Sequence, residues 1–105
     1  MNAQKTLTAL NAALDLNISD SFSEEGLVDI SGTFTATLVV EGTTDGSIYR
    51  SLAMSPLAGG ADVSSVTAPG AWRVNFGGLK AARVRVSAYT SGSAVAAAAI
   101  TRKAA

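Results

Sequence analysis

The chain has 105 residues, a length that fits one domain and one core. Cysteine and histidine are both absent, which excludes disulfides, thiolate metal sites and any Cys or His nucleophile–base pair. Eight basic residues balance eight acidic ones, so net charge draws the chain neither to nucleic acid nor to anionic lipid.

Alanine, glycine, serine and threonine make up about half of the chain, and charged residues only 15%. Short Thr, Ser and Val runs punctuated by glycine suit strands and turns better than helices. No apolar run approaches the roughly 18 residues that span a bilayer. The N-terminal stretch, with a lone Lys5 and an apolar run broken by Asn11, does not read as a signal peptide.

In chain order, residues 1–11 read as an arm, extended or helical, that packs on a neighbour. Leu7, Leu10 and Leu14 have helical spacing, but Leu14, Leu16 and Ile18 alternate with Asp15 and Asn17, so Ala13–Ile18 reads as a strand. Gly26–Ser31 is a short strand. From Thr33 to Glu41, Phe34, Ala36, Leu38 and Val40 fall on one face, and Thr35, Thr37 and Glu41 on the other. The Gly42–Gly46 turn contains an Asp-Gly pair, and extended character resumes at Ser47, so Thr33–Met54 reads as a β-hairpin.

Ser55–Gly60 is a loop by composition, and Val63–Val66 reads as a short edge strand. In the next strand Trp72, Val74 and Phe76 alternate with Arg73 and Asn75. A further strand sets Ala82, Val84, Val86 and Ala88 against Arg83, Arg85, Ser87 and Tyr89. Thr90–Ser93 reads as a turn into a last strand, Ala94–Thr101. Alanine propensity alone would make that run a helix, but its lead-in and Val95, Ile100 and Thr101 favour a strand. The expected fold is all-β: an antiparallel β-sandwich or jelly roll of seven to eight strands over residues 12–105, preceded by the arm.

Little in this composition serves catalysis, and the chain is expected not to be an enzyme. Its acids are scattered and single out no glycosidase pair, and the Asp45 turn lacks the ligand pattern of an EF-hand. No cofactor or metal is expected. Trp72, in phase with Val74 and Phe76, belongs to the apolar face. The more informative polar residues are Arg73, Arg83 and Arg85, which would form one basic patch if their two strands pair, and Tyr89, in phase with Arg83 and Arg85 as an exposed contact residue. Charge is also uneven along the chain. Residues 1–49 contain one lysine and seven acids, and residues 50–105 seven basic residues and one acid. That asymmetry suits either strands neutralising one another within a sandwich or copies meeting acidic edge to basic edge.

The run Ser31-Gly32-Thr33-Phe34-Thr35-Ala36-Thr37-Leu38, then Val40-Glu41-Gly42 and Asp45-Gly46, is similar to a small β-sandwich module of tailed-bacteriophage structural proteins. Gly70-Ala71-Trp72-Arg73-Val74, Gly78-Leu79, Val84-Arg85-Val86 and Ala88-Tyr89-Thr90-Ser91-Gly92-Ser93 continue the pattern. The resemblance covers roughly residues 26–101 and departs at Ile48-Tyr49, where the pattern calls for an aromatic such as Trp. It implies a virion component: a capsid decoration (cement) protein, a head fibre, or a neck or tail accessory protein. The first of these leads to a homotrimer on the capsid surface, bound to the major capsid protein and to copies of itself, with no nucleic-acid or membrane partner. The alternatives are a receptor- or glycan-binding module of a fibre, and a neck or collar component.

Overall fold

A computed structural model describes residues 2–17, 23–77 and 79–102. Over these the chain is all-β and antiparallel, with seven strands: β1 (Asn2–Leu7), β2 (Ala13–Asn17), β3 (Ser23–Thr43), β4 (Arg50–Ser51), β5 (Ser55–Pro56), β6 (Gly70–Asn75) and β7 (Ala81–Arg102). The two long strands, β3 and β7, have 21 and 22 residues and pair from Ser23↔Arg102 to Thr43↔Ala81. A straight strand of that length would run roughly 70 Å. The longest dimension of the molecule is 42 Å, so both strands must bend.

The bend has a visible backbone cause. Gly32 (φ +100°) and Gly92 (φ +89°) both lie in the left-handed region, two residue pairs apart on the facing strands. A Cβ on Gly92 would come within 2.6 Å of Phe34 Cα, so the close approach also demands glycine. Register shifts beside Ser87 and Thr90 add two bulges to β7 next to the bend, where bulges increase local twist.

The bend divides one sheet into two halves that share a core, an arrangement consistent with a sandwich. One half has the order β1–β7–β3–β6–β5. The other adds β2 against the first part of β7 and β4 against the last part of β3. A single buried cluster draws Leu7 from β1, Leu16 from β2, Ile30 and Leu38 from the two arms of β3, and Val84 and Ala96 from the two arms of β7. Phe76 and Met54 are fully buried beside them. Burying each side chain of this size contributes about 1.5–3 kcal/mol.

Several expectations are corrected here. Residues 2–7, expected as an arm, form edge strand β1, because Leu7 is buried opposite Ala94 and Ala3 packs on the core. Thr90–Ser93 is a bend inside β7 and not a hairpin turn, and Gly26–Ser31 and Thr33–Glu41 are likewise one strand. The return arm of the expected Thr33–Met54 hairpin is only β4 and the bond from Leu52 N–H to Val40 C=O, because the next position along that edge of β3 is taken by Val66, bridged to Leu38. Val63 and Val66 make single bridges, to Met54 and Leu38, and no strand. Ile18, in the expected strand Ala13–Ile18, lies outside the described residues.

The alanine-rich run is strand. Ala94, Ala96 and Ala98 are buried and alternate with Val95, Ala97 and Ala99, which are less so. Backbone pairing with β1 and β3 on either side outweighs helix propensity.

If the bend depends on glycine, Gly92→Ala should lower the unfolding free energy in urea by more than about 2 kcal/mol. Gly59→Ala, at φ +99° with nothing within 4 Å of the added carbon, should lose only about 1 kcal/mol.

Candidate interaction surface

Glu41 on β3 stands opposite Arg83 on β7, and Arg85 follows two residues along the same face. One carboxylate serves both arginines. Glu41 Oε1 accepts from Arg83 Nε at 2.8 Å and Arg85 Nε at 2.9 Å, and Oε2 accepts from Arg85 Nη2 at 3.2 Å. Arg85 Nη1 also donates to Asn11 Oδ1 at 3.0 Å, tying in the connection between β1 and β2. The Arg83 guanidinium lies 4.0 Å from the centre of the Tyr49 ring, a cation–π contact that anchors the segment before β4.

The hydrogen bond from Arg85 is the main reason the Glu41 carboxyl sits below its ordinary pKa. Burial opposes the shift, and Arg83 reinforces it. Glu41 reciprocally raises the pKa of Arg85. Two cations on one anion leave this cluster with one net positive charge.

Of the four residues expected at an interface, the fold brings together only Arg83 and Arg85. The three-arginine patch does not form, because β6 pairs with β3 and β5, not with β7. Arg73 is exposed on the other half of the sheet, opposite Leu27 and Ser55. It borders a polar depression with Asn75 and Asp62, and there Ser55 Oγ donates to Asp62 Oδ1 at 2.7 Å. Tyr89 is displaced by the bulge at Ser87, which shifts it out of phase with Arg83 and Arg85. Its ring packs against the core margin and its hydroxyl donates to Gly92 C=O at 2.8 Å. Trp72, half-buried, packs on the core as its phase suggested.

Sequence reasoning overlooked Glu41 as the hub, since nothing local marks a pairing across 42 residues. It also overlooked how firmly the 43–48 turn is held. Asp45 Oδ1 accepts from Thr43 Oγ1 at 2.9 Å, Ser47 N–H at 2.8 Å and Ile48 N–H at 3.0 Å. Thr43 Oγ1 in turn accepts from Gly46 N–H at 3.0 Å. The backbone bond from Ser47, followed by the backbone bond from Ile48 and the hydroxyl bond from Thr43, lowers the Asp45 carboxyl to about 2. The turn therefore satisfies Asp45 internally, and Ile48 projects from it 60% exposed.

A second surface feature lies on the outer face of the β1–β7–β3–β6 half. An open groove of about 530 Å³ is lined by Leu27, Asp29, Leu57, Ala71, Ala97 and Ala99, among others. Cross-strand pairing accounts for it: Asp29 stands between Ala97 and Ala71, and Leu27 between Ala99 and Arg73. The alanines are too short to fill this face, and Leu27 and Leu57 remain exposed at its rim. Among the described residues no three His, Cys, Asp or Glu side chains converge as metal ligands would.

Two outcomes follow for the charged groups. Glu41→Ala leaves two neighbouring arginines without their shared acceptor and should cost about 1–2 kcal/mol at neutral pH by urea unfolding. Asp45 has a folded pKa below its unfolded value, so its stabilisation is present above the unfolded value and is lost as pH falls. Stability should therefore drop as the pH goes from about 4 to about 2, the folded value. Asp45→Asn should flatten that part of the acid-unfolding curve, and an unchanged curve would exclude the turn as its source.

No protein-family model matches the chain, and no curated protein matches it in sequence. A solved structure does. The crystal structure of SPBc2 prophage-derived protein YomS superposes with a TM-score of 0.70 at 15% identity, over 96% of this chain and 96% of that one. The likeness is one of fold, and it extends over nearly the full length of both chains.

Proposed function

We propose that this chain is a virion structural protein of a tailed bacteriophage, acting as a capsid decoration (cement) protein on the major capsid protein lattice. The observation that carries this reading is the full-length fold likeness to a prophage-derived protein. The module resemblance over residues 26–101 points the same way. The surface supports a role in protein contact, with an apolar groove on one half of the sheet and a net-positive arginine pair on the other.

The mechanism is mechanical and uses no bond-making chemistry. Copies self-associate, as a homotrimer, at junctions between major capsid subunits on the outer surface of the head. Each copy buries interface on more than one subunit. Internal pressure from packaged DNA must then break those added contacts before the lattice opens. Interfaces of roughly 1,200–2,000 Å² suffice for stable attachment of this kind.

The glycan-binding alternative draws less support. It needs an open aromatic platform, whereas Tyr49 is stacked under Arg83 and both Tyr89 and Trp72 pack on the core.

The test is to add purified protein to heads of the encoding phage prepared without it. Saturable co-sedimentation with heads, and DNA release shifted to higher temperature, are expected. Failure to bind heads, with saturable binding to host polysaccharide instead, would overturn the cement reading.

A further inference from the structure

The groove beside β3 holds an acid among apolar residues, and the tip before β4 offers a base near an apolar side chain; the tip is not among the residues that line the groove. In the groove, the Asp29 carboxylate makes no hydrogen bond or ion pair with any described residue, although alanines, Gln4 and two exposed leucines line the groove around it. A carboxylate standing alone on an apolar face is suited to a cation whose neighbour is apolar.

The 47–50 segment offers that pair. Ile48 is 60% exposed. Arg50, two residues on at the start of β4, is exposed and likewise makes no ion pair with any described residue. Tyr49 between them is held inward by Arg83, and Asp45 binds the Ile48 amide. The tip is thus ordered before it meets anything, which reduces the entropy lost on binding. Among the described residues the exposed large hydrophobics are Leu10, Leu27, Ile48 and Leu57; two of these line the groove and one is the tip.

The geometry points to a contact between copies of this chain in which the 47–50 tip of one docks in the groove of the next. Ile48 lies on the alanine floor between Leu27 and Leu57, and Arg50 pairs with Asp29. The groove volume of about 530 Å³ is within the range that accepts a drug-sized ligand, enough for two side chains. A tip-to-groove contact joins unlike surfaces, so it propagates head to tail and closes as a ring, or is made twice across a two-fold axis. It also gives the uneven charge along the chain a use, since the acid lies in residues 1–49 and the base in residues 50–105.

This contact deepens the self-association part of the proposed function. It is tested on the isolated protein, so its failure is distinct from failure to bind heads. Analytical ultracentrifugation across a concentration series should show an assembly of the 10.6 kDa chain. Asp29→Arg and Arg50→Asp, each alone, should raise the dissociation constant by at least about tenfold through like-charge repulsion. Combining the two should restore most of the affinity. Ile48→Asp should dissociate the assembly, with an unchanged circular dichroism spectrum confirming that the chain is folded. A wild-type monomer at every concentration would overturn the proposal. So would an assembly indifferent to these substitutions, or a double variant no tighter than the single ones.

Discussion

Two strands of 21 and 22 residues lie side by side along nearly their whole length, and the other strands are placed directly or in series by pairing with them. Pairs of that length do not stay flat in a small domain, because only folding the sheet on itself can bury its apolar face in one core. Left-handed glycines at 32 and 92, two residue pairs apart on the facing strands, with bulges beside Ser87 and Thr90, make that possible without breaking either strand. The edge strands then take the positions that remain. β1 covers one end of β7, β2 the other, and β6 the free side of β3.

The bend also sets the chemistry of the two outer faces. On one half, Glu41 gathers Arg83 and Arg85 and so binds β3 to β7 near the end of the pair far from the bend. These side chains are partly exposed, so their attraction is screened. Their structural value lies in orienting both guanidinium groups as much as in net stability. On the other half Ala71, Ala97 and Ala99 face outward beside Leu27 and Leu57, and the groove they line keeps apolar surface uncovered. An antiparallel sheet usually shows water a polar outer face. An alanine- and leucine-lined groove around Asp29 is the departure that the proposed inter-copy contact addresses.

The alternation in Phe34–Val40, Trp72–Phe76 and Ala82–Val86 was legible because each stretch buries one face, and a period of two follows from strand geometry alone. Tyr89 was misplaced because the same rule was carried through Ser87, where one extra residue reverses the face. Thr90–Ser93 has turn composition, and its glycine does take positive φ, but a bend within a strand and a hairpin turn draw on the same residues. β1 was hard to see because only Ala3 and Leu7 turn toward the core along its edge.

The sequence by itself determined the fold class, the absence of disulfide, thiolate and imidazole chemistry, and which residues of the main strands face the core. These depend on composition and on neighbours along the chain. Tertiary structure alone decided that four expected strand segments are two continuous ones, that Glu41 unites Arg83 and Arg85, that Arg73 stands apart, and that alanines line a groove around Asp29. Each of these depends on which strands lie side by side. Strand partnership is a competition among all strands for the same edges, settled by burial of the shared core, and no local pattern encodes it.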